Sequence, residues 1–481
     1  MSNLTDLLPA GAGGKQVSFV ASGTIGNGVT VGLNSDGTVS VIENSPEALG
    51  TAGVFSATAT SSAASAYDSA SQKLIIAYRS EASGDLKGYA IVGTVSGTSI
   101  SFGSRVQFEA NADGVSCAFD SVNNKVVIAY YARNSSLQGK AIVGTVSGTS
   151  ISFGTAATFE TGITGYTECT FDPVSGKVII AYRDDGNSGY LQAVVGTVSG
   201  TSISFGTIVV VSSVNNLYAS VKYNSVNDKL ILVYTDFSSS PYKGTAIVGT
   251  VSGTSTSWGS ASAYTTGNGY YNDVAVDSDN GGCFISYRDS ANSDYGTARI
   301  GTISGTSISF GTPVVYLSSQ VSYNKAIYNT NSQKVVLAYT NSGSGDLGYL
   351  VTASISGTSI SFDTPTLVNN NSTFNVAHTY ITNTAQSVIN YAVGTARNGD
   401  AKVFQTASSN NTDFIGISDA AISDTASGSV TIKGGISTNI TGLTPNQNYY
   451  VQADGTLSTT ASDVLAGKAL SSTSINLDYT T

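Results

Sequence analysis

Short apolar runs separated by turn residues follow one another along most of the chain. Four of them stand between Thr167 and Val210: TECTFDP, GKVIIAYRDD, LQAVVGTVSG and SISFGTIVV. Each is rich in β-branched or aromatic residues, is bounded by Gly, Asn, Ser or Asp, and is too short for a helix. The second run is apolar at consecutive positions, as in a strand covered on both faces, whereas the third and fourth alternate more. The pattern predicts a four-stranded antiparallel meander.

This meander recurs seven times. The phrase AIVGTVSGTSISFG occupies Ala90–Gly103, returns verbatim at Ala141–Gly154 and has four close variants farther on. A tyrosine that ends the second run counts the units, at intervals of 52 or 53 residues: Tyr78, Tyr130, Tyr182, Tyr234, Tyr287, Tyr339 and Tyr391. A fixed period of this length is typical of propellers and solenoids. We predict an all-β fold, a seven-bladed β-propeller of four-stranded antiparallel blades; an open solenoid is the alternative.

The two ends of the repeat array predict how the ring closes. The fourth-strand phrase is missing after the seventh unit, whereas residues 53–59 precede the first unit and resemble a fourth strand. We expect them to complete the last blade, which removes exposed sheet edges. The propeller is therefore assigned to residues 51–409. The flanking segments, 1–50 and 410–481, also alternate apolar residues and predict one small β domain built from both termini; two independent flexible tails are the alternative.

Single positions within the repeat carry further predictions. An Asp or Asn opens the turn between the first and second strands in six units, where its side chain can accept hydrogen bonds from the turn's N–H groups. The aromatic after the SGTS hairpin, such as Phe153 or Phe205, is expected to pack between neighbouring sheets. Cys117, Cys169 and Cys283 are interpreted as small apolar core residues.

Composition and charge narrow the classes of partner. Charged residues make up 11% of the 481 residues, and the formal net charge is −10. This balance argues against nucleic acid and against adsorption to an anionic membrane. No run approaches the ~18 apolar residues of a membrane span, and the first residues, MSNLTDLLPAGAGGK, lack the basic start of a secretory signal. We therefore expect synthesis in a cytoplasm, no membrane insertion and no cofactor.

Three phrases carry a resemblance to a known class of proteins. FVASGTIGNGVTVGLNSDGTVSV near the start, the AIVGTVSGTSISFGT repeats and TGLTPNQNYYVQADGTLSTT near the end resemble virion structural proteins of tailed bacteriophages, in particular fibre, spike or head-decoration proteins of marine phages. The resemblance implies a place on the virion, with the terminal β domain binding other virion proteins. It leaves a homo-oligomer open, since no coiled-coil heptads indicate a subunit count.

Residues with catalytic chemistry are scarce. His378 is the only histidine, so a histidine-rich metal site or a Ser-His-Asp triad has little material. Arg79, Arg183 and Arg288 each follow the marker tyrosine, in units one, three and five. Sialidases likewise combine a propeller with an arginine cluster that binds a carboxylate. This chain lacks the aspartate of their hairpin motif and an assignable Tyr/Glu pair. We therefore predict no catalytic residue, no metal site and no enzyme activity; a glycan hydrolase is the least favoured function.

The loops after the second and fourth strands vary most and define one face of the predicted propeller. They are rich in Tyr, Ser, Gly and Asn, a composition typical of adaptable binding loops. The candidate ligand-binding residues are Arg79, Arg183, Asp184, Tyr190, Tyr242, Tyr270, Tyr271, Arg288, Asp289 and Tyr295. Aromatic rings that stack on sugars suggest a non-enzymatic virion protein that binds a host-surface glycan or receptor. A purely architectural virion component is the alternative.

Overall fold

The computed structural model describes residues 15–477 except 35, 83 and 383, and these residues form two compact units. The larger unit spans residues 48–406, and the smaller combines residues 15–47 with 407–477. The residues of the N-terminal segment before 15, on which the prediction about a secretory signal partly rests, lie outside the described residues. Within the described ranges, no helix is long and apolar enough to cross a membrane.

The larger unit consists of seven blades, and four strands run from one blade into the next: Gly53–Asp68, Ser262–Val276, Val314–Asn329 and Thr366–Ile381. In blades 1–3 the strands are Gly53–Asp68, Lys73–Ser80, Gly88–Ser96, Ser99–Phe102 and Val106–Glu109; Ala112–Asp120, Lys125–Ala132, Gln138–Ser147, Ser150–Phe153 and Ala157–Glu160; and Thr164–Asp172, Lys177–Asp184, Tyr190–Ser199, Ser202–Phe205 and Val209–Ser212. In blades 4–7 they are Asn216–Asn224, Lys229–Asp236, Lys243–Ser252 and Ser255–Trp258; Ser262–Val276, Cys283–Asp289, Tyr295–Ser304 and Ser307–Phe310; Val314–Asn329, Lys334–Asn341, Leu347–Ser356 and Ser359–Phe362; and Thr366–Ile381, Gln386–Val393 and Asn398–Gln405, with Ala48–Leu49.

Blade 3 shows how the predicted meander is built. Its first three strands pair antiparallel, with Cys169 opposite Ile180 and Ile180 opposite Val194. The fourth strand is broken into two segments, Ser202–Phe205 and Val209–Ser212, and both pair with the third strand. The second strand is the most buried because sheets cover both of its faces, and every marker tyrosine is at most 1% exposed. Short 3-10 helices follow the second strand in four blades: Arg133–Ser135, Asp185–Asn187, Ser290–Asn292 and Ser342–Ser344.

The ring closes as the sequence predicts. The first strands of adjacent blades lie innermost and contact one another in an unbroken cycle, with blade 7 contacting blade 1. The beginning of strand Gly53–Asp68 pairs with Asn398–Gln405, where Asp400 lies opposite Val54. An N-terminal segment thus supplies the outer strand of the last blade. The prediction of a seven-bladed propeller is confirmed, and the open solenoid is excluded.

The repeated phrase forms the joint between blades. The glycine that follows the hairpin aromatic lies directly on a hairpin threonine of the next blade, and a Cβ atom would overlap or crowd that threonine: Gly103 on Thr149, Gly154 on Thr201, Gly206 on Thr254, Gly259 on Thr306 and Gly311 on Thr358. Gly50, which follows Leu49 in the closing segment, lies on Thr98 of blade 1 in the same way. Blade 6 has Asp363 at this position, and the blade after it has no such hairpin. The hairpin aromatics pack between sheets as predicted; Phe205 of blade 3, for example, lies 5.7 Å from Phe159 of blade 2.

The turn prediction is confirmed, and two of the three cysteines are buried as predicted. In all six units the Asp or Asn side chain accepts hydrogen bonds from two backbone N–H groups of its turn; Asp120 accepts from Val122 and Asn123 at 3.0 and 2.9 Å. Cys169 and Cys283 are buried, and burial raises the pKa of each thiol to about 12. Cys117 is half-buried.

The smaller unit joins the two ends of the chain, as predicted. One sheet has the order Gln16–Val20, Ser427–Ile432, Phe414–Ser418, Thr30–Leu33 and Val39–Val41, so two C-terminal strands lie between N-terminal strands in it. The remaining elements come mainly from the C-terminal segment: Asn44–Ser45 with Ser408–Ser409, the 3-10 helix Asn411–Asp413, and Ile436–Ser437, Ser474–Leu477, Leu465–Ser471, Asn448–Val451 and Leu457–Ser458. Because strands from both termini share one sheet, the alternative of two independent tails is excluded.

Candidate ligand-binding cavity

A β-bulge interrupts the innermost strand of every blade. In blade 3, Gly165 pairs with Arg183 and Glu168 with Ala181, so Tyr166 and Thr167 together face Tyr182. Two residues that oppose one are the mark of a bulge, and its first residue here has a left-handed conformation. The equivalent residues of the seven blades have φ between 46° and 54°: Ser62, Gly114, Tyr166, Tyr218, Tyr271, Tyr323 and Asn375.

Four of these seven residues are tyrosines, on the consecutive blades 3–6. Positive φ suits Gly and is tolerated by Asn, but it is a genuine outlier for a bulky residue. Gly114 and Asn375 show that the bulge itself does not need an aromatic side chain. Strained backbone of this kind costs of order 1–3 kcal/mol per residue and clusters at functional sites.

The bulges surround a cavity of about 250 Å³ at one mouth of the central channel. All seven blades contribute to its wall: Ser62, Gly114, Val115, Tyr166, Thr167, Glu168, Tyr218, Ala219, Tyr271, Asn272, Tyr323, Asn324, Lys325 and Val376. The bulges lie at the end of the innermost strand that pairs with the arginine end of the second strand. The cavity therefore opens on the face that carries the loops after the second and fourth strands, which we call the loop face.

Aromatic rings form a continuous arc along one side of this mouth. The ring centroid of Tyr271 lies 4.7 Å from that of Tyr218 and 5.7 Å from that of Tyr323, and Tyr323 lies 6.4 Å from Phe374. A second row, Tyr270, Phe237 and Tyr242, continues from Tyr218 with centroid separations of 6.1, 6.1 and 4.6 Å. The opposite side, blades 7, 1 and 2, carries the small residues at the bulge. The mouth is thus aromatic on one side and small and polar on the other.

Hydrogen bonds between blades fix the bulges in place. In blades 3, 5 and 6 the residue after the bulge tyrosine donates a side-chain hydrogen bond to the carbonyl of the bulge residue in the preceding blade: Thr167 to Gly114, Asn272 to Tyr218 at 3.4 Å, and Asn324 to Tyr271 at 3.2 Å. Burial, together with the neighbouring Tyr271, raises the pKa of Tyr218 to about 12. Its hydroxyl is therefore neutral near pH 7 and can both donate and accept a hydrogen bond.

An ion triad lies beneath the aromatic arc. Lys325 of blade 6 extends its Nζ to 3.4 Å from Glu168 of blade 3 and to 3.4 Å from Asp273 of blade 5. Asp273 also accepts hydrogen bonds from Ser220 Oγ at 2.8 Å and from the backbone N–H of Ala326 at 2.7 Å. Burial alone would lower the pKa of Lys325, but the two carboxylates raise it above its usual value, so the amine is protonated. Lys325 and Glu168 both line the cavity.

The three predicted arginines occupy equivalent positions on the loop face, but each pairs with a different aspartate. Arg79 contacts Asp113 at 2.5 Å, Arg183 contacts Asp185 at 2.7 Å, and Arg288 contacts Asp294 at 3.5 Å. Arg288 also lies over the rings of Tyr270 and Tyr271, at 4.9 and 5.0 Å from their centroids. Only Arg288 therefore joins the aromatic arc. The arginines do not form a shared carboxylate clamp among the described residues.

The remaining predicted residues divide into two groups. Tyr270, Tyr271 and Tyr242 belong to the arc or to its second row. Asp184 is buried and accepts a hydrogen bond from Gln192 at 2.6 Å, and Asp289 accepts one from the backbone of Ala291 at 3.1 Å. Burial raises the pKa of both carboxyl groups. They shape the loops, and neither lines the cavity, nor do the half-buried Tyr190 and Tyr295.

Sequence reasoning missed Tyr166, Tyr218, Tyr323, Glu168 and Lys325. The tyrosines carried a signal, because every bulge residue stands 16 positions before the marker tyrosine of its unit, as Tyr166 does before Tyr182. The ion triad carried a weaker one: Glu168, Asp273 and Lys325 each stand 14 positions before the marker tyrosine of their own unit, but nothing in the sequence shows that these three blades bring them together. His378 lies near the ion triad, with its Nδ1 3.4 Å from the carbonyl oxygen of Lys325 and its Nε2 2.9 Å from Ser387 Oγ. Burial lowers the pKa of His378 to about 4, so its imidazole is neutral.

Comparisons with known proteins give no family. No family model and no curated protein matches the chain. Solved structures that resemble it include a leech intramolecular trans-sialidase (TM-score 0.45, 11% identity, covering 73% of this chain and 69% of that one) and a Lactobacillus plantarum protein (0.46, 10%, 70% and 96%). A third is an ulvan lyase of polysaccharide lyase family 25 (0.45, 11%, 80% and 96%).

These findings correct one prediction. The chain was expected not to be an enzyme, because it shows an all-β propeller pattern without a recognisable catalytic motif. Two of the three structures named above are enzymes by their names, a trans-sialidase and a lyase. The absence of a familiar motif on such a fold therefore does not support a non-enzymatic protein, and that prediction is wrong.

Proposed function

We propose that the propeller binds carbohydrate in the cavity on its loop face. The observation that carries this proposal is the strained tyrosine at the bulge of four adjacent blades. Glycine or asparagine would make the same bulge at lower energy, so the aromatic side chains are retained for what they contact. Since strain of this kind clusters at ligand sites, a ligand with flat apolar surfaces is the fitting occupant.

Carbohydrate matches the two sides of the mouth. The C–H faces of a sugar ring can stack on the arc from Tyr218 to Tyr323, and its hydroxyls can bond to tyrosine hydroxyls, to Ser62 and to Lys325. The cavity of about 250 Å³ is near the lower end of small-molecule sites, about 300–1,000 Å³, and suits one sugar unit with the chain extending outward. The trans-sialidase and the lyase named above are glycan-active proteins by their names, which agrees with this class of ligand.

Replacing Tyr271 by Asn tests the proposal, because Asn375 of blade 7 shows that asparagine fits the same backbone. The protein is screened on immobilised defined oligosaccharides, and the strongest binder is measured by calorimetry. Tyr271→Asn is expected to weaken binding by about 1–3 kcal/mol, the range found for interface residues that matter. Tyr223→Asn is the matched control, since Tyr223 bonds Asp228 in the turn on the opposite face. Unchanged affinity in Tyr271→Asn would refute the cavity as the site.

We further propose, from the resemblance of its repeats to phage virion proteins, that the chain belongs to a phage particle. The terminal β domain supports this, because a compact unit built from both chain ends suits attachment to other virion proteins. Quantitative mass spectrometry of purified particles is expected to find the protein in fixed stoichiometry, and excess free protein is expected to slow adsorption to host cells. Absence from particles would refute the virion role; presence without competition would favour the architectural alternative.

A further inference from the structure

The charge of the cavity restricts which sugars it can take. Among the described residues that line it, Lys325 is the only basic side chain and Glu168 the only acidic one. Directly behind them lies Asp273, whose side chain is 2% exposed and whose oxygens accept bonds from Ser220, Ala326 and Lys325. The one positive and two negative charges leave the floor with a net negative charge.

The arginines near the mouth do not offset this charge. Arg79 and Arg133 share Asp113, at 2.5 and 2.8 Å, while Arg183 and Arg288 are paired with Asp185 and Asp294. Arg397 of blade 7 lies over the ring of Phe374 at 5.0 Å and does not line the cavity. A carboxylate that entered would lose its hydration without meeting an unpaired cation among the residues that line the cavity, and such burial is strongly unfavourable.

An uncharged hydroxyl meets different conditions. The ammonium group of Lys325 has three N–H donors, and two carboxylates engage it, so a donor is left for a sugar oxygen. Glu168 is 25% exposed in its side chain and can accept from a sugar hydroxyl. The tyrosine hydroxyls add donors and acceptors at the rim.

We propose, on the basis of the carbohydrate-binding function above, that the cavity selects an uncharged sugar unit and rejects one that carries a carboxylate. The selectivity comes from the net negative floor formed by Lys325, Glu168 and Asp273, beneath an aromatic arc that stacks on either kind of ring. The arc supplies affinity, and the floor supplies the discrimination.

Matched pairs of ligands test this directly. Short oligosaccharides that end in glucose, galactose, mannose or N-acetylglucosamine are compared with the same chains whose terminal C6 is oxidised to a carboxylate. For each pair that binds, the neutral member is expected to bind at least about tenfold more tightly, as like charges in contact are strongly unfavourable. Equal or tighter binding of the carboxylate would overturn the proposal. If no member of any pair binds, the carbohydrate-binding function itself fails.

A charge variant tests the origin of the selectivity. Glu168→Gln leaves Lys325 paired with Asp273 and removes the net negative charge of the floor. The preference for the neutral sugar is expected to shrink several-fold in this variant. Asp228→Asn makes the same change of charge in a turn on the opposite face and is expected to leave the preference unchanged. A preference that is identical in wild type and Glu168→Gln would show that the floor does not set it.

Discussion

At the scale of single residues, Tyr166 is the clearest case of a side chain that is expected to serve ligand binding at a cost to stability. Tyr166 is 53% exposed, and the guanidinium carbon of Arg183 lies 6.0 Å from the centroid of its ring. Because it gains little from packing and has φ of 46°, strain outweighs the contacts that it makes. Tyr166→Asn is expected to raise the free energy of unfolding by about 0.5–1 kcal/mol, since left-handed backbone costs roughly 1–2 kcal/mol for ordinary residues and less for Asn.

Urea unfolding of the two proteins measures this change. The control is Tyr190→Asn, because Tyr190 lies in the same blade and is not among the residues with positive φ. The control is expected to be neutral or destabilising. A loss of stability in Tyr166→Asn as large as in the control would contradict the strain argument, and the affinity for oligosaccharide is expected to fall in Tyr166→Asn alone.

The residue scale is also where sequence reasoning was weakest. The turn aspartates could be predicted because each carboxylate accepts hydrogen bonds from N–H groups only two or three residues farther along the chain. The positions of Arg79, Arg183 and Arg288 were predicted correctly, but their acidic partners were not, since Asp113 comes from the next blade and Asp185 and Asp294 from loops. A left-handed tyrosine inside a strand leaves no trace in apolar periodicity, and only its fixed offset from the marker tyrosine could have indicated it.

At the scale of elements, the hairpin phrase repeats because each copy makes the same close contact with the next blade. The glycine after each hairpin aromatic touches the backbone of the next blade, so a larger residue would push two blades apart. Gly154→Ala is expected to destabilise the propeller by roughly 1–3 kcal/mol or more, the range for overpacking a close contact. Gly148→Ala is the matched control: its φ is 60° and nothing lies near its missing Cβ, so it is expected to cost only about 1 kcal/mol.

Thermal unfolding of both glycine variants distinguishes these outcomes. Equal melting temperatures would mean that the contact of Gly154 with Thr201 does not limit the approach of the blades. Asp363 provides a natural comparison, because blade 7 lacks the hairpin and no close contact is required there. Its carboxylate instead pairs with Lys334 at 2.6 Å.

At the scale of the whole propeller, architecture was the most predictable feature. Seven units, their strand order and the closing segment follow from a period that repeats without interruption, and each strand keeps the same neighbours in every unit. The cavity was not predictable in the same way. It exists only where seven innermost strands meet. Glu168, Asp273 and Lys325 share one repeat position, which predicts a common level in the ring, but the side-chain contacts among blades 3, 5 and 6 depend on the folded geometry.

Ring closure is the one joint of the propeller made by residues far apart in sequence. Phe55 is 4% exposed and lies 5.2 Å from Tyr78, and in this it resembles Phe159, which lies 5.1 Å from Tyr182. Phe55→Ala and Phe159→Ala are each expected to lower the free energy of unfolding by about 3–5 kcal/mol. The two variants are expected to differ in which contacts open first. Residues 53–59 can pair again with Asn398–Gln405 only by closing a loop that spans the entire propeller, whereas Phe159 lies between strands that are close in the chain.

Amide hydrogen exchange measures which strands open first in each variant. In Phe55→Ala the amides of Asn398–Gln405 and of residues 53–59 are expected to exchange before global unfolding, as a separate low-energy opening. In Phe159→Ala the neighbouring blades, held by the continuous chain, are expected to exchange together with the rest of the propeller. Uniform exchange in Phe55→Ala would show that the ring opens as one unit, with the closing strand no weaker than any other joint.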